Sequence, residues 1–208
     1  MLLHEGAVFL THTSALIVAD VHLGKSAAFR ARGLPVPEGD TARDLKRLLD
    51  LTQKYQAAHL IVAGDLFHAR SGMTPELESE FAQFIKTLEI PLSLVVGNHD
   101  AKLKHLPAGL RAVSQLELED GLRVIHDPAD ADEDAFHLAG HLHPVIKIPD
   151  GKRTSLRLAC FIQRGQTLIL PAFGSFTGGA ILKPRELDRV FVPLREQVLE
   201  LPASLLQS

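Results

Sequence analysis

Eight side chains of metal-binding type stand where apolar, strand-like stretches of the chain end. Carboxylate and amide oxygens are mixed with imidazole rings among them: Asp20, His22, Asp65, Asn98, His99, His126, His141 and His143. Hard oxygen ligands combined with imidazole suit divalent transition metals, and delivery from several strand ends lets two ions share one site. The set therefore predicts a two-metal hydrolytic site of the kind that cleaves phosphate esters.

The spacing of these residues indicates how they divide between two ions. Asp20 and His22 are two residues apart, so on a continuing strand they point to one side and can grip one ion, and His141 and His143 have the same separation. Asp65 follows a glycine, and because a carboxylate can bridge two cations whereas an imidazole cannot, it is the candidate bridge. Asp20 or Asp65 alone is more often a turn or cap residue, and a histidine such as His126 alone is more often a partly buried, hydrogen-bonded side chain. Only the conjunction of these residues favours the metal site.

The elements that must position these ligands begin with three apolar runs. Residues 15–19, 60–63 and 92–96 are short runs that are apolar except for Ser93, as expected of strands buried on both faces of a sheet. Each run stops at or just before a ligand. Two amphipathic helices separate them, so the first half of the chain predicts a βαβαβ arrangement.

Helix start signals support this reading. Asp40-Thr41 opens the first helix, and Asp44 stands three residues beyond Thr41 as in a capping box. Thr74-Pro75 opens the second with an N-cap residue and proline at the first helical position.

The second half of the chain is rich in strand signals. Residues 122–125, 135–139 and 189–192 have strand patterns, and residues 156–162 are expected to pair with 167–170 as a hairpin. Alternation of strands and helices followed by a strand-rich half predicts an α/β fold, a four-layer α-β-β-α sandwich in which two mixed β-sheets pack face to face with flanking helices.

Composition restricts the class of protein. The 208 residues, 46% of them hydrophobic, suffice for one sizeable core, and no shift in composition divides them, so a single domain over 1–208 is predicted. With 22 Lys and Arg against 25 Asp and Glu, the chain lacks overall basic charge, so a polyanion must be held locally. A lone Cys160, no signal-like N-terminus and no long apolar run predict a cytoplasmic protein without a membrane role.

The ligand blocks occur in a recognisable order. They are Asp-x-His at 20–22, Gly-Asp at 64–65, Gly-Asn-His-Asp at 97–100, a single His126 and Gly-His-x-His at 140–143. This order resembles the calcineurin-like metallophosphoesterase superfamily. Longer stretches resemble its DNA-ligase-associated branch: 19–25, 32–39, 64–68 and 170–179. The resemblance implies the metallophosphoesterase fold, a phosphodiesterase or endonuclease of the DNA damage response with DNA as substrate, and functional association with a DNA ligase and a DNA helicase.

The resemblance also implies roles for individual residues. One metal would be held by Asp20, His22, Asp65 and His143, and the other by Asp65, Asn98, His126 and His141. His99 would protonate the leaving oxygen, oriented by Asp100. The branch resemblance favours two Mn²⁺ ions, with Fe or Zn²⁺ as alternatives.

Contacts to the substrate beyond the metals are predicted from basic residues near the first two motifs. The candidates are Lys25, Arg30, Arg32, His68 and Arg70. A solvated surface is the alternative for the first three.

Two further features leave alternatives open. For Phe173 and Phe176, beside the glycine-rich turn, packing is favoured over stacking on bases. A nucleotide or dinucleotide phosphohydrolase is the rival activity, a non-catalytic scaffold is the alternative class, and the oligomeric state stays open.

Overall fold

The computed structural model describes residues 1–150, 154–202 and 205. Its first half contains β1 (Val8–Leu10), β2 (Ala15–Val18), α1 (Lys25–Arg30), α2 (Asp40–Lys54), β3 (His59–Val62), α3 (Pro75–Leu88), β4 (Leu92–Val95) and β5 (Arg111–Val113). Its second half contains β6 (Leu116–Glu117), β7 (Arg123–Val124), β8 (His137–Ala139), β9 (Pro144–Pro149), β10 (Ser155–Ala159), β11 (Phe161–Arg164), β12 (Thr167–Ile169), β13 (Ala180–Ile181), β14 (Arg189–Leu194) and β15 (Gln197–Leu201).

The first half builds a five-stranded sheet in the order β1-β2-β3-β4-β5. Strands β2 to β5 run parallel and β1 is antiparallel at the edge. Both faces of the central strands are buried, as the continuous apolar runs predicted: Leu16 and Val18 face the helices, whereas Ala15 and Ile17 face the second sheet.

The second half builds a seven-stranded mixed sheet in the order β15-β14-β11-β12-β8-β7-β6. Apolar side chains from the inner faces of the two large sheets form one core cluster, which includes Ile17 and Ile61 of the first sheet and Leu138 and Phe161 of the second. The α/β class and the face-to-face packing of two mixed sheets are therefore confirmed.

A small third sheet, in the order β10-β9-β13, covers the outer face of the seven-stranded sheet. Ile146 of β9 packs there on Ile162, Val190 and Val192. The predicted sandwich has helices outside both large sheets. Among the described residues, the layer outside the seven-stranded sheet is this small sheet instead, because its apolar side chains alternate with period two.

The hairpin predicted from 156–162 to 167–170 is correct only in its second part. β11 pairs with β12 around the turn, with Ile162 opposite Ile169. The preceding residues form β10 in the small sheet, and the chain changes sheets at the buried Cys160. The single strand expected from sequence is thus two strands in different sheets.

The helices α2 and α3 pack their apolar sides on the outer face of the first sheet. Thr74 caps α3 as predicted, accepting a hydrogen bond from the Leu77 N–H at 3.3 Å. The capping box predicted for α2 is wrong: Gly39 is the N-cap, and Asp40 instead accepts hydrogen bonds from Ser26. No helix in the described ranges is long and apolar enough to span a membrane.

Candidate metal centre

The predicted ligands gather at one edge of the paired sheets, in the loops that follow parallel strands. β2, β3 and β4 are parallel neighbours in the first sheet, and β7 and β8 are parallel neighbours in the second. Beyond the strand ends, the backbone pairing continues from the Asp20 N–H to the Gly64 oxygen at 3.0 Å and from the His22 N–H to the Asp65 oxygen at 2.9 Å. The carboxyl edge of a parallel sheet is where open α/β folds usually place their sites.

Five of the seven predicted metal ligands adopt a left-handed backbone. The φ angles are +57° at Asp20, +54° at His22, +53° at Asp65, +70° at His141 and +44° at His143. Such angles are uncommon for residues other than glycine and carry a conformational cost that surrounding structure must hold in place. Their concentration here bends the chain after each strand and turns the ligand side chains towards a common centre.

The first cluster consists of Asp20, His22 and His143. The His143 Nε2 lies 3.1 Å from the Asp20 Oδ1 and 3.4 Å from the His22 Nε2. Asp20 is fully buried, and among the described residues the only group that can donate to its Oδ1 is the His143 imidazole, and then only when Nε2 carries a proton. A buried carboxylate oxygen whose nearby partner is an imidazole nitrogen fits a bound cation.

The second cluster consists of Asp65, His126 and His141, with Asn98 between the rings. The His126 Nε2 lies 3.5 Å from the Asp65 Oδ2 and 3.1 Å from the Asn98 Oδ1, and the His141 Nδ1 lies 3.0 Å from the same Asn98 oxygen. On its other side, the His126 Nδ1 lies 3.0 Å from the Ala63 carbonyl oxygen. Donation of the Nδ1 proton to that carbonyl leaves Nε2 free to act as a ligand.

Asp65 stands between the two clusters. Its Oδ2 is 4.0 Å from the His22 Nε2 of the first and 3.5 Å from the His126 Nε2 of the second. Its Oδ1 accepts a hydrogen bond from the His99 N–H at 2.8 Å. Asp20 has a similar outer bond, because its Oδ2 accepts from the His141 N–H at 2.9 Å. These outer bonds fix the direction of both carboxylates.

Two glycines leave space for this arrangement. A Cβ at Gly64, where φ is +86°, would enter the His126 ring, and a Cβ at Gly97 would meet the carboxylate of Asp65. Glycine is therefore required at both positions by close approach of a ligand side chain.

The protonation states of the imidazoles differ across the first cluster. Burial lowers the pKa of His22 to about 2, with further contributions from His143 and Lys25. Burial also lowers the pKa of His143, but the Asp20 carboxylate outweighs it, so this pKa lies above its ordinary value. A metal ligand must be neutral imidazole, so His22 is already in the binding form and His143 must release a proton.

The predicted contact between His99 and Asp100 is not present. The Asp100 carboxylate instead accepts backbone N–H bonds from Leu66 at 3.3 Å, Phe67 at 2.9 Å and Gly97 at 3.1 Å. Burial raises the pKa of Asp100 to about 6 against the effect of these bonds. The His99 Nδ1 faces the His68 carbonyl oxygen in a short contact. Asp100 thus joins the two ligand loops, and a backbone carbonyl orients the His99 ring.

An open cavity of about 950 Å³ adjoins the metal centre at His99. It is lined by basic and aromatic side chains, among them Lys25, Phe29, Arg32, His68, Arg70 and Lys102. Four of the five predicted substrate contacts are therefore in this cleft.

Arg30, the fifth predicted contact, is elsewhere. It donates to the Pro37 carbonyl oxygen at 3.3 Å and pairs with Glu38 at 3.1 Å. Helical spacing explains the difference within α1 (Lys25–Arg30), since Lys25 and Phe29 are four residues apart on one face that Arg30 does not share.

Sequence reasoning missed Phe29 and Lys102 as lining residues. For Lys102 a signal existed, because it stands three residues after His99 in a single-turn helix and so returns to the same side. For Phe29 the spacing of four from Lys25 was the corresponding signal.

Comparison with known proteins agrees with this geometry. The sequence matches the calcineurin-like phosphoesterase family over residues 13–165, well over half of the chain. No curated protein matches it.

Among solved structures, the fold is similar to that of the Pseudomonas putida nuclease MPE, with a TM-score of 0.78 and 32% identity over 95% of this chain and 93% of that one. Weaker likenesses, both with a TM-score of 0.42 and 18% identity, are to the Aquifex aeolicus protein of unknown function AQ665 (62% and 77% coverage) and the E. coli phosphoesterase Yfce (86% and 86%). The chain belongs to the calcineurin-like phosphoesterase family and is a metal-dependent hydrolase of phosphoester bonds.

Proposed function

We propose that this protein is a two-metal phosphodiesterase that cleaves DNA. The observation that carries the proposal is the pair of ligand clusters on either side of Asp65, opening directly into a basic cleft. Phosphodiester hydrolysis requires stabilisation of negative charge on the phosphoryl oxygens, and an extended anionic substrate requires cations along its path. The ligand clusters would hold the metal ions that meet the first requirement, and the basic side chains of the cleft meet the second.

The two clusters suggest how the metals are held. Asp20, His22, Asp65 and His143 would hold one ion, and Asp65, Asn98, His126 and His141 the other. When bound, two divalent cations lower the pKa of a water and stabilise charge on the phosphoryl oxygens. The protein's own contribution is the fixed direction of each ligand, set by the outer hydrogen bonds of Asp20, Asp65 and His126.

His99 is the residue we assign to proton donation. Its ring lies 4.9 Å from that of His22 and lines the cleft, so it borders both the metal centre and the space for substrate. Its Nδ1 is occupied by the His68 carbonyl oxygen, which directs Nε2 away from that contact. From this position Nε2 would protonate the leaving alkoxide oxygen as the phosphorus–oxygen bond breaks.

An extended substrate is favoured over a small one by the shape and charge of the cleft. The cavity is open, and it gathers cationic side chains although the chain carries a net charge of −3. The similar Pseudomonas putida protein is described as a nuclease. A small-nucleotide hydrolase would be expected to enclose its substrate more fully.

The finer parts of the proposal rest on the resemblance to the DNA-ligase-associated branch. They are Mn²⁺ as the metal, a role in DNA repair, and functional association with a DNA ligase and a DNA helicase. Action in the cytoplasm is proposed separately, from the lone Cys160 and the N-terminal sequence.

Hydrolysis of bis(4-nitrophenyl) phosphate and of 4-nitrophenyl phosphate with and without Mn²⁺ tests the activity. We expect Mn²⁺-dependent turnover that prefers the diester and falls about 100-fold or more in His99→Ala, the usual loss of a general acid. His12→Ala, which removes an exposed histidine outside the site, is the matched control and should retain full turnover.

The alternative activities give different results in the same assay. Preference for the monoester would support a nucleotide phosphohydrolase. Absence of turnover on both esters and on DNA, with two metals bound per chain, would refute the phosphodiesterase and support a scaffold.

A further inference from the structure

Two phenylalanine rings, one of which lines the cleft, form a small surface beside it that we call the aromatic ledge. Phe29 on α1 and Phe176 in the glycine-rich turn lie 5.7 Å apart at an interplanar angle of 71°. Phe176 is 37% exposed, whereas its neighbour Phe173 is buried beneath the Arg47 guanidinium, 4.1 Å from the ring centre. Packing beside the turn therefore accounts for Phe173 but leaves one large apolar ring exposed at Phe176.

The ledge is connected to the metal centre by ring contacts. The Phe29 ring is 5.9 Å from that of His68, and His68 is 5.3 Å from His22 and stacks on His99 at 4.9 Å. The ledge is thus two ring contacts away from the metal cluster. A base seated on it would lie a short distance along the strand from a phosphodiester held at the metals.

Cationic groups surround the path between them. Lys25, Arg32, Arg70 and Lys102 line the cleft, and within the described ranges no carboxylate lies within 4.0 Å of their charged nitrogens. Cations around an open cavity that form no close ion pair with a carboxylate are suited to phosphate groups of a ligand. Cationic side chains and aromatic rings are the two features by which proteins bind a single nucleic-acid strand, because the cations hold its phosphates and the rings stack on its bases.

We propose that the aromatic ledge binds one unpaired nucleobase of the substrate, one or two nucleotides from the bond that is cut. This inference rests on the proposed phosphodiesterase function and adds a specificity-determining site to it. A base within a duplex is covered on both faces by its neighbours and cannot stack on Phe176. The ledge therefore selects a strand that is single at this point, while the four cations hold its phosphates.

A set of short single-stranded oligonucleotides, each with one cleavable phosphodiester and phosphorothioate linkages elsewhere, tests the ledge. Each of the two nucleotides on either side of the cleavable bond is replaced in turn by an abasic tetrahydrofuran analogue. At one position, we expect removal of the base to lower kcat/KM about tenfold for the Mn²⁺-loaded protein, the loss of one base–aromatic stack.

The variants connect this preference to Phe176. In Phe176→Leu, which keeps an apolar side chain but no ring, the base and abasic substrates should be cleaved with nearly equal kcat/KM. Phe176→Tyr should retain the preference, and so should Leu187→Ala, a control at a side chain that is 90% exposed and outside the cleft. Phe29→Leu provides the same test for the second ring.

The outcomes separate this inference from the proposed function. If the wild-type protein cleaves base and abasic substrates equally at all four positions, or if Phe176→Leu and Phe29→Leu keep the preference, the ledge is not a base site. The phosphodiesterase would still stand in either case. If the wild-type protein hydrolyses no phosphodiester in the presence of metal, both the phosphodiesterase proposal and the aromatic ledge are overturned.

Discussion

At the scale of single residues, Asp100 supports the metal site without being one of its ligands. Its two oxygens accept the backbone N–H groups of Leu66, Phe67 and Gly97, so one buried carboxylate joins the loop after β3 to the loop after β4. These loops carry Asp65 and Asn98. Asp100 therefore acts as a positioning residue for metal ligands.

Asp100→Asn tests this role. An amide has only one acceptor oxygen, and its NH₂ group would face an N–H donor, so we expect a loss of about 1–3 kcal/mol in the free energy of unfolding. Urea denaturation of the metal-free protein measures it, and Mn²⁺ affinity by calorimetry should fall as well. Asp50→Asn is the matched control, because its exposed pair with Lys46 contributes little. Equal stability of both variants would contradict the bridging role.

The pH dependence of metal binding also depends on single residues, chiefly His143. His143 has a raised pKa because the Asp20 carboxylate stabilises its imidazolium, and His22 has a lowered pKa. Because the pKa of His143 is raised in the folded protein, its protonation stabilises the metal-free fold. This stabilisation is complete below about pH 6.5, the ordinary pKa of histidine, and is lost as the pH rises through the raised pKa. Metal competes with this proton, so its binding strengthens as the pH rises.

At the scale of elements, α2 holds the glycine-rich turn that closes one side of the site. Asp44 accepts hydrogen bonds from the Ser175 N–H at 2.8 Å and the Ser175 hydroxyl at 3.1 Å, and Arg47 donates to the Phe173 carbonyl oxygen at 2.8 Å. The glycine-rich turn also places the Gly178 carbonyl oxygen 3.2 Å from the His143 Nδ1. A helix about 90 residues before His143 in the chain thus orients this ligand through the glycine-rich turn.

Asp44→Ala should loosen this connection. Loss of both Ser175 bonds is expected to raise hydrogen exchange in the peptide over 174–179 and to lower kcat/KM about tenfold, mostly through a misdirected His143. Asp44→Asn, which keeps an acceptor for the Ser175 N–H, should recover part of the activity. Asp50→Ala on the same helix is the control. Unchanged exchange in 174–179 would show that the turn holds its shape without α2.

At the scale of the whole molecule, the ligands come from both large sheets. Asp20 and Asp65 follow strands of the first sheet, whereas His126 and His141 follow strands of the second. The core cluster of apolar side chains between the two large sheets joins the same sheets. Metal binding therefore ties together two halves that unfolding must separate, and its free energy adds to the stability of the fold.

Thermal unfolding with and without Mn²⁺ measures this coupling. At a free metal concentration about 100 times Kd we expect an increase in Tm of roughly 5–10 °C, from about 2.7 kcal/mol of linkage in a chain of this size. The shift should be larger at pH 8 than at pH 6, because His143 must lose its proton. A double variant, Asp65→Asn with His126→Ala, should show no shift. An equal shift at both pH values would contradict the assignment to His143.

Much of the site was open to prediction from sequence because its signals are local. Apolar runs of four or five residues identify the central strands, and a ligand type follows each one within a few residues. Since parallel strands end at the same edge, the gathering of Asp20, Asp65 and Asn98 follows from chain order alone. The Thr74 cap of α3 is a similar short-range signal.

Other features depended on contacts between residues distant in the chain, and only the tertiary structure decided them. The pairing of β11 with β14 after the change of sheet at Cys160, the bonds from Asp44 to Ser175 and from Asp100 to Leu66, and the contact of Phe176 with Phe29 join segments separated by about 30 residues or more. Carboxylates and aromatic rings accept many partners, so their types do not select one. The sequence by itself determined which residues can bind metal, whereas packing of the two sheets decided which groups orient them and which surfaces stay open to a substrate.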